Sequence, residues 1–275
     1  MIVYQANKRQ FIHDTFQDDI EFVLSQQYLR TAGRQPSPSE FNAWKHSLFE
    51  VGEVLKDPTL PDDMGVALEY TVPQTSKRID VLLTGEDEAG VPKLVIIELK
   101  QWSEARFSEK DGIIWARRGG KTGETEGPHP SYQAWSYAAL LNDFNTAVYE
   151  GGVALQPCAY LHNYPKRDGV IDHPAYTEHI QRAPLFLNYR GGRLTVRSID
   201  RLVRRHAAQD QRQGGNDGSK AHLAFPPDLS FCCPERGRIT GSEQRPVAPS
   251  ACGAECSRRR ADLQRAPPRR GRTVA

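Results

Sequence analysis

The chain has 275 residues, 38% apolar and 25% charged, with a net charge of +2. That length makes one large domain or two small ones at about 100–200 residues each, and it can bury a core without disulfides or a structural metal. No stretch is apolar over the ~18 residues that a membrane-spanning helix needs, and the first five residues lack the charged and apolar regions of a secretory signal, so the expected location is the cytoplasm.

Taken in order, residues 8–30 read as a helix, with Phe11, Phe16, Ile20, Val23 and Leu24 at helical spacing. Residues 31–39 are rich in Gly, Pro and Ser and break it. A second helix is predicted over 39–56, capped by Ser39, with Phe41, Trp44, Leu48, Val51 and Leu55 on one face. Asp57-Pro58 ends it. The period then changes to two. Residues 66–72 and 78–83 read as strands, and 93–100 reads as a third strand, apolar on both faces as a covered central strand would be. Residues 103–130 are polar and Gly-rich with one short strand candidate at 112–117. A helix is predicted over 131–142, a strand over 156–162, short elements at 185–189 and 194–199, and a basic helical end at 199–206. The order helix, three strands, helix, strand is a mixed α/β sheet flanked by helices.

Three charged residues on these strands suggest chemistry. Glu98 and Lys100 lie two apart at the end of the third strand, so they share a face, directly after Leu94-Val95-Ile96-Ile97. Asp80 lies on the preceding strand, with 17 residues between it and Glu98. If the two strands are neighbours, Asp80 and Glu98 converge into a hard oxygen site suited to Mg²⁺ or Mn²⁺. A neighbouring Lys then stabilises charge on a phosphate or helps deprotonate a water. The expected reaction is phosphodiester hydrolysis. Arg78 can pair a carboxylate or touch phosphate. Lys77, Arg106, Arg117 and Arg118 are scattered basic candidates for a DNA path, and His129 can contact phosphate, although a histidine at a helix entry is usually structural. Trp44 and Trp135 fit the core better than a stacking platform.

Asp80 followed by Glu98-x-Lys100, within an α-β-β-β-α-β order, resembles the PD-(D/E)XK nuclease superfamily, whose fold is restriction-endonuclease-like. Ile79 stands where the Pro of that label would be. Gln133-x-x-x-Tyr137 is similar to a signature of its RecB-like branch, which implies that Gln133 and Tyr137 hold and orient substrate. The stretches around Glu40 and Ala43–Leu48, Leu68–Tyr70, Lys77–Asp80, Ile97–Trp102 and His129–Gln133 resemble, over roughly residues 8–205, bacterial proteins that join such a domain to a Schlafen-type DNA/RNA helicase domain. The resemblance implies a metal site of Asp80, Glu98 and the Leu99 carbonyl, joined by a helix carboxylate, for which Glu53 is carried with Glu50 beside it; Glu69, on a strand, is a comparable candidate. It also implies DNA or RNA as substrate and a helicase domain as partner. Gly119-Gly120-Lys121-Thr122 is no phosphate-binding loop, because Trp115 stands where the leading Gly belongs. No ATPase is expected.

The expected domains are an N-terminal helical extension (1–36), the nuclease-like domain (37–206) and a tail (207–275). Residues 1–206 carry 24 Lys and Arg against 27 Asp and Glu, a net −3, which argues against tight duplex binding by this part alone. Residues 221–275 contain ten Arg, no Lys, seven Pro and four of the five Cys. That composition is expected of a disordered segment or of a shifted reading frame in a GC-rich gene, with the helicase part lost behind it. Cys232, Cys233, Cys252 and Cys256 have poor spacing for zinc, and Cys158 fits a core strand. The alternative to a nuclease is a catalytically inactive nucleic-acid-binding module or scaffold, or a non-functional fragment of a helicase-family protein.

Overall fold

The structure is a computed structural model that describes residues 1–204 except 74, 88, 118–122 and 190. The tail from 205 onward, with its four cysteines, and the Gly119–Thr122 segment lie outside the described residues, as does Arg118.

The chain opens with a short strand the sequence did not signal, β1 (Tyr4–Asn7), which pairs antiparallel with β2 (Gly65–Thr71). The helix expected over 8–30 is two helices, α1 (Lys8–Phe16) and α2 (Ile20–Ala32). Asp19 separates them with φ at 54°, a left-handed conformation that Asp tolerates locally and a right-handed helix cannot pass through. Gly33, also left-handed, ends α2 and returns its N–H to Leu29. The next helix, α3 (Pro38–Leu55), is capped by Ser37 rather than Ser39. The Ser37 hydroxyl accepts from the Glu40 N–H, the Glu40 carboxylate accepts from the Ser37 N–H, and Pro38 fills the first turn. α1 meets α3 at Gly52, where a Cβ would stand 2.9 Å from the Thr15 methyl.

β2, β3 (Arg78–Glu86) and β4 (Pro92–Lys100) form an antiparallel meander. Residues 103–130 hold more than the one strand expected. β5 (Ala105–Phe107), β6 (Ile113–Arg117) and β7 (Glu124–Pro128) make a separate three-stranded sheet. α4 (Pro130–Phe144) and the short α5 (Thr146–Tyr149) cross over to β8 (Ala154–Leu161), which lies parallel to β4. A 3₁₀ turn (Pro174–Tyr176), α6 (Thr177–Arg182), β9 (Leu185–Leu187) and α7 (Val196–Arg204) complete the described chain. The main sheet is mixed, in the order β1-β2-β3-β4-β8-β9. The expected α-β-β-β-α-β core is present as α3-β2-β3-β4-α4-β8, and β4 is central, as its two apolar faces indicate. Among the described residues no helix is long and apolar enough to cross a membrane.

Helices cover both faces of the sheet. On one, Val66, Leu68, Val81, Leu83, Val95 and Ile97 pack with α1, α2, α3 and α7. On the other, Ala67, Leu82, Leu94 and Ile96 pack under Tyr137, Ala138 and Leu141 of α4. Residues 1–36, expected as an extension, share the first of these cores. Phe11, Ile20, Leu24 and Tyr28 are buried there beside Trp44 and Leu48. Phe11→Ala should therefore destabilise the whole described region by about 3–5 kcal/mol. Urea unfolding monitored by far-UV circular dichroism and by tryptophan fluorescence should give one coincident transition, shifted to lower denaturant. Loss of α1 signal alone would show that residues 1–36 fold apart from the sheet.

Candidate active site

The register of three strands builds the site. Leu68 faces Val81 and Tyr70 faces Ile79 across β2 and β3, and Val81 faces Ile97 across β3 and β4. Between these pairs, one row holds Glu69, Asp80 and Glu98 on adjacent strands. Side chains two apart on a strand normally share a face. Here Leu68 and Val81 lie in the core under α3, whereas Tyr70 and Ile79 lie in the core under α4. Both strands reverse faces at the row itself. Glu69 shows how, with φ at 55° in the middle of a strand, a conformation that costs on the order of 1–3 kcal/mol and persists only where its surroundings hold it.

Trp44 of α3 donates its indole N–H to Glu69 Oε1 at 2.7 Å, and the Arg78 Nε ion-pairs with Glu69 Oε2. Arg78 also donates from Nη1 to Glu40 Oε1 at 3.0 Å. The guanidinium foreseen for phosphate is thus engaged by two carboxylates. Burial pushes the Glu69 carboxyl upward, with Arg78 opposing.

Asp80 Oδ2 accepts from the Leu99 backbone N–H at 2.8 Å. Burial raises the Asp80 carboxyl, and Lys100 and that N–H pull it back. Glu98 is only 2% exposed. Its Oε1 accepts from the Lys100 Nζ, and its Oε2 is buried with no hydrogen-bond partner among the described residues. Burial first, then the Asp80 charge, pushes the Glu98 carboxyl up to about 8 against the attraction of Lys100. On α4, one turn apart, Gln133 Nε2 donates to the Tyr137 hydroxyl at 2.7 Å. Burial and the nearby Glu98 charge raise the Tyr137 phenol well above its ordinary value, so it stays a hydrogen-bond donor.

These groups stand at a cleft of about 640 Å³ at the end of β4, whose lining includes Lys77, Leu99, Lys100, Trp102, Arg117 and Gln133. Asp80 and Glu98 lie one bond behind that wall, on the Leu99 backbone and the Lys100 ammonium. The strands, α4 and the small sheet therefore bring together Asp80, Glu98, Leu99, Lys100, Gln133 and Tyr137, with Lys77 and Arg117 at the rim.

Glu53 is not among them. It is exposed near the far end of α3 and pairs with Lys56 at 2.6 Å, roughly 20 Å along the helix from Glu40 at 1.5 Å per residue. Glu50 is held by Arg193. The α3 carboxylate that reaches this region is Glu40, through Arg78. Its signal in the sequence was the pattern Ser37-x-x-Glu40, which reads as a cap. His129 is fully buried, bonded through Nε2 to the Ile171 carbonyl and stacked on Tyr176, so it is structural. Trp44 and Cys158 are buried, as expected. A group of three metal-capable side chains, His13, Asp14 and Asp18, lies elsewhere on the surface around α1. Asp14 there already accepts from Tyr4 and Gln10. No family model, no curated protein and no solved structure matches the chain.

The raised carboxyl of Glu98 has a consequence for stability. A group held above its unfolded value of 4.5 stabilises the fold fully below that value and loses this contribution as pH rises through the folded value near 8. Urea unfolding in EDTA should show stability falling from about pH 5 to about pH 8. Glu98→Gln, which keeps the shape without the charge, should lessen that fall, the remainder coming from Glu69 and Asp80, which burial also raises. An unchanged slope in the variant would mean that Glu98 is ionised throughout.

Proposed function

We propose that the chain is a metal-dependent nuclease that hydrolyses phosphodiester bonds in DNA or RNA. The observation that carries this reading is the buried Glu98 Oε2, without a hydrogen-bond partner among the described residues, beside Asp80, with Lys100 bridging from Glu98 to the cleft wall. The donor set fits Mg²⁺ or Mn²⁺, with Asp80 and Glu98 as carboxylate oxygens and the Leu99 carbonyl as the further ligand, since hard cations take few carboxylates and leave room for phosphate oxygens. When bound, the cation supplies charge stabilisation at the scissile phosphate.

The side chains of this chain do the rest. Lys100 holds a phosphate oxygen and orients the attacking water at the cleft wall. Tyr137 and Gln133 form a fixed donor pair toward the same space. Lys77 and Arg117 draw the polyanion in. Water adds to phosphorus, one P–O ester bond breaks, and the products are a phosphate monoester and a hydroxyl end. The excess of acidic over basic residues across 1–206 supports a domain to which substrate is delivered, in keeping with the helicase partner that the sequence resemblance suggests.

A second reading, a nucleic-acid-binding module without catalysis, is favoured by one feature. Lys100 is already closed onto Glu98, and Arg78 onto Glu40 and Glu69. Cleavage of end-labelled single-stranded and duplex DNA and of RNA, with Mg²⁺ or Mn²⁺ and with EDTA, separates the two. The nuclease should cut only with metal, and Asp80→Ala, Glu98→Ala and Lys100→Ala should each lose at least about 100-fold, the scale of removing one charge-stabilising group. No cutting by a folded protein whose melting temperature Mn²⁺ raises would leave the binding module.

A further inference from the structure

A second cleft, of about 500 Å³, adjoins the first, and its chemistry is the opposite. Gln101 lines both. Ser47 of the first is hydrogen-bonded at 2.9 Å to His162 of the second, so the two share a wall. β4 and β8 place that wall. Lys100 pairs with Leu161 at the ends of these parallel strands, and Gln101 and His162 are the next residues.

The first cleft is cationic, with Lys77, Lys100 and Arg117 against Glu104. The second carries Asp19 and Glu21 against Lys45, with Glu50 on its lining already paired to Arg193. Glu21 is 4% exposed, and Lys45 reaches it only at 3.5 Å. A phosphate would be repelled there. A neutral group rich in N–H donors would be held by the Glu21 carboxylate and the Gln101 and Asn163 amides, each of which offers an acceptor oxygen. Phe49, 46% exposed on the same wall, offers an aromatic face.

We propose that the second cleft takes an unpaired nucleobase next to the phosphate bound in the first, so that the substrate is single-stranded at the cutting site. This rests on reading the first cleft as the phosphodiester site. A base in a duplex has its donor edge occupied by its partner, and only an unpaired one can present that edge to a pocket. Cytosine and adenine bear an exocyclic amino donor and thymine does not, so the acidic cleft selects among bases as well as between strands.

The test uses the full chain in EDTA and fluorescein-labelled oligonucleotides of about 12 nucleotides, within the site sizes of single-strand binders. Fluorescence anisotropy should show oligo-dC binding about tenfold or more tighter than the same strand annealed to oligo-dG, and tighter than oligo-dT. Glu21→Gln should weaken oligo-dC about five- to tenfold and leave oligo-dT nearly unchanged, as loss of one charged acceptor predicts. Asn163→Ala, beyond the end of β8, is the second variant, with the same sign expected. Duplex binding equal to or tighter than single-strand binding overturns the proposal, and so does an equal loss for oligo-dC and oligo-dT in both variants. Cleavage with Mn²⁺ is read on the same samples. The expected base preferences without cutting would sink the nuclease reading and leave the base pocket. Cutting of duplex and single strand alike, unaffected by Glu21→Gln, would sink the pocket and leave the nuclease.

Discussion

Removing a carboxylate from water costs several kcal/mol unless a partner or a proton answers its charge. The main sheet places three in one row, Glu69, Asp80 and Glu98, and the surrounding structure follows from how each is answered. Glu69 receives an indole N–H and a guanidinium. Asp80 receives the Leu99 backbone N–H. Glu98 receives an ammonium on one oxygen and nothing from the described residues on the other. The row also falls where β2 and β3 exchange faces. The alternation shifts at the row, so that Leu68 and Val81 on one side of it lie in the α3 core while Tyr70 and Ile79 on the other side lie in the α4 core, with the polar row between.

That arrangement depends on residues far away in sequence. Trp44 reaches Glu69 because α3 is set against the sheet, and α3 is set there by α1 at Gly52 and by α2 at Tyr28. The Tyr28 ring packs edge-on against Trp44 with centroids 5.6 Å apart, and the Arg78 guanidinium lies over the same ring. The first two helices therefore act on the site through a chain of contacts from Tyr28 to Trp44 to Glu69. Glu69, with its positive φ, is held through both oxygens of its carboxylate, and a strained residue persists only where its surroundings fix it.

What could be read from the sequence divides along the same physical line. Asp80, Glu98 and Lys100 were legible because each depends on short-range pattern: a period of two, an apolar run and charges at its end. The order of the core elements was legible for the same reason. Glu69 was visible only as one carboxylate among several, since no Gly or Pro marks the reversal at that position and ordinary alternation predicts none. The break at Asp19 was hidden by apolar spacing that stays helical across it. The three-stranded sheet within 103–130 was obscured by strands of three to five residues in polar, Gly-rich sequence. Glu53 was carried, with Glu50 and Glu69 beside it, for its nearness in sequence to the strands. The end of α3 that reaches the row is the opposite one, where Glu40 pairs with Arg78 while Glu53 pairs with Lys56.

The two ion pairs at the row have different consequences. Arg78 is fixed between Glu40 and Glu69, and releasing it would leave the buried Glu69 carboxylate with the Trp44 indole N–H but without its ion pair. Lys100 pairs with the Glu98 carboxylate, lies 5.7 Å from the Trp102 ring centroid, and stands at the cleft wall with its side chain 18% exposed. Turning it toward an anion in the cleft costs that ion pair, which burial has already weakened by raising the Glu98 carboxyl toward its neutral form. The row thus contains one cation fixed between two carboxylates and one paired with a single carboxylate at the cleft wall.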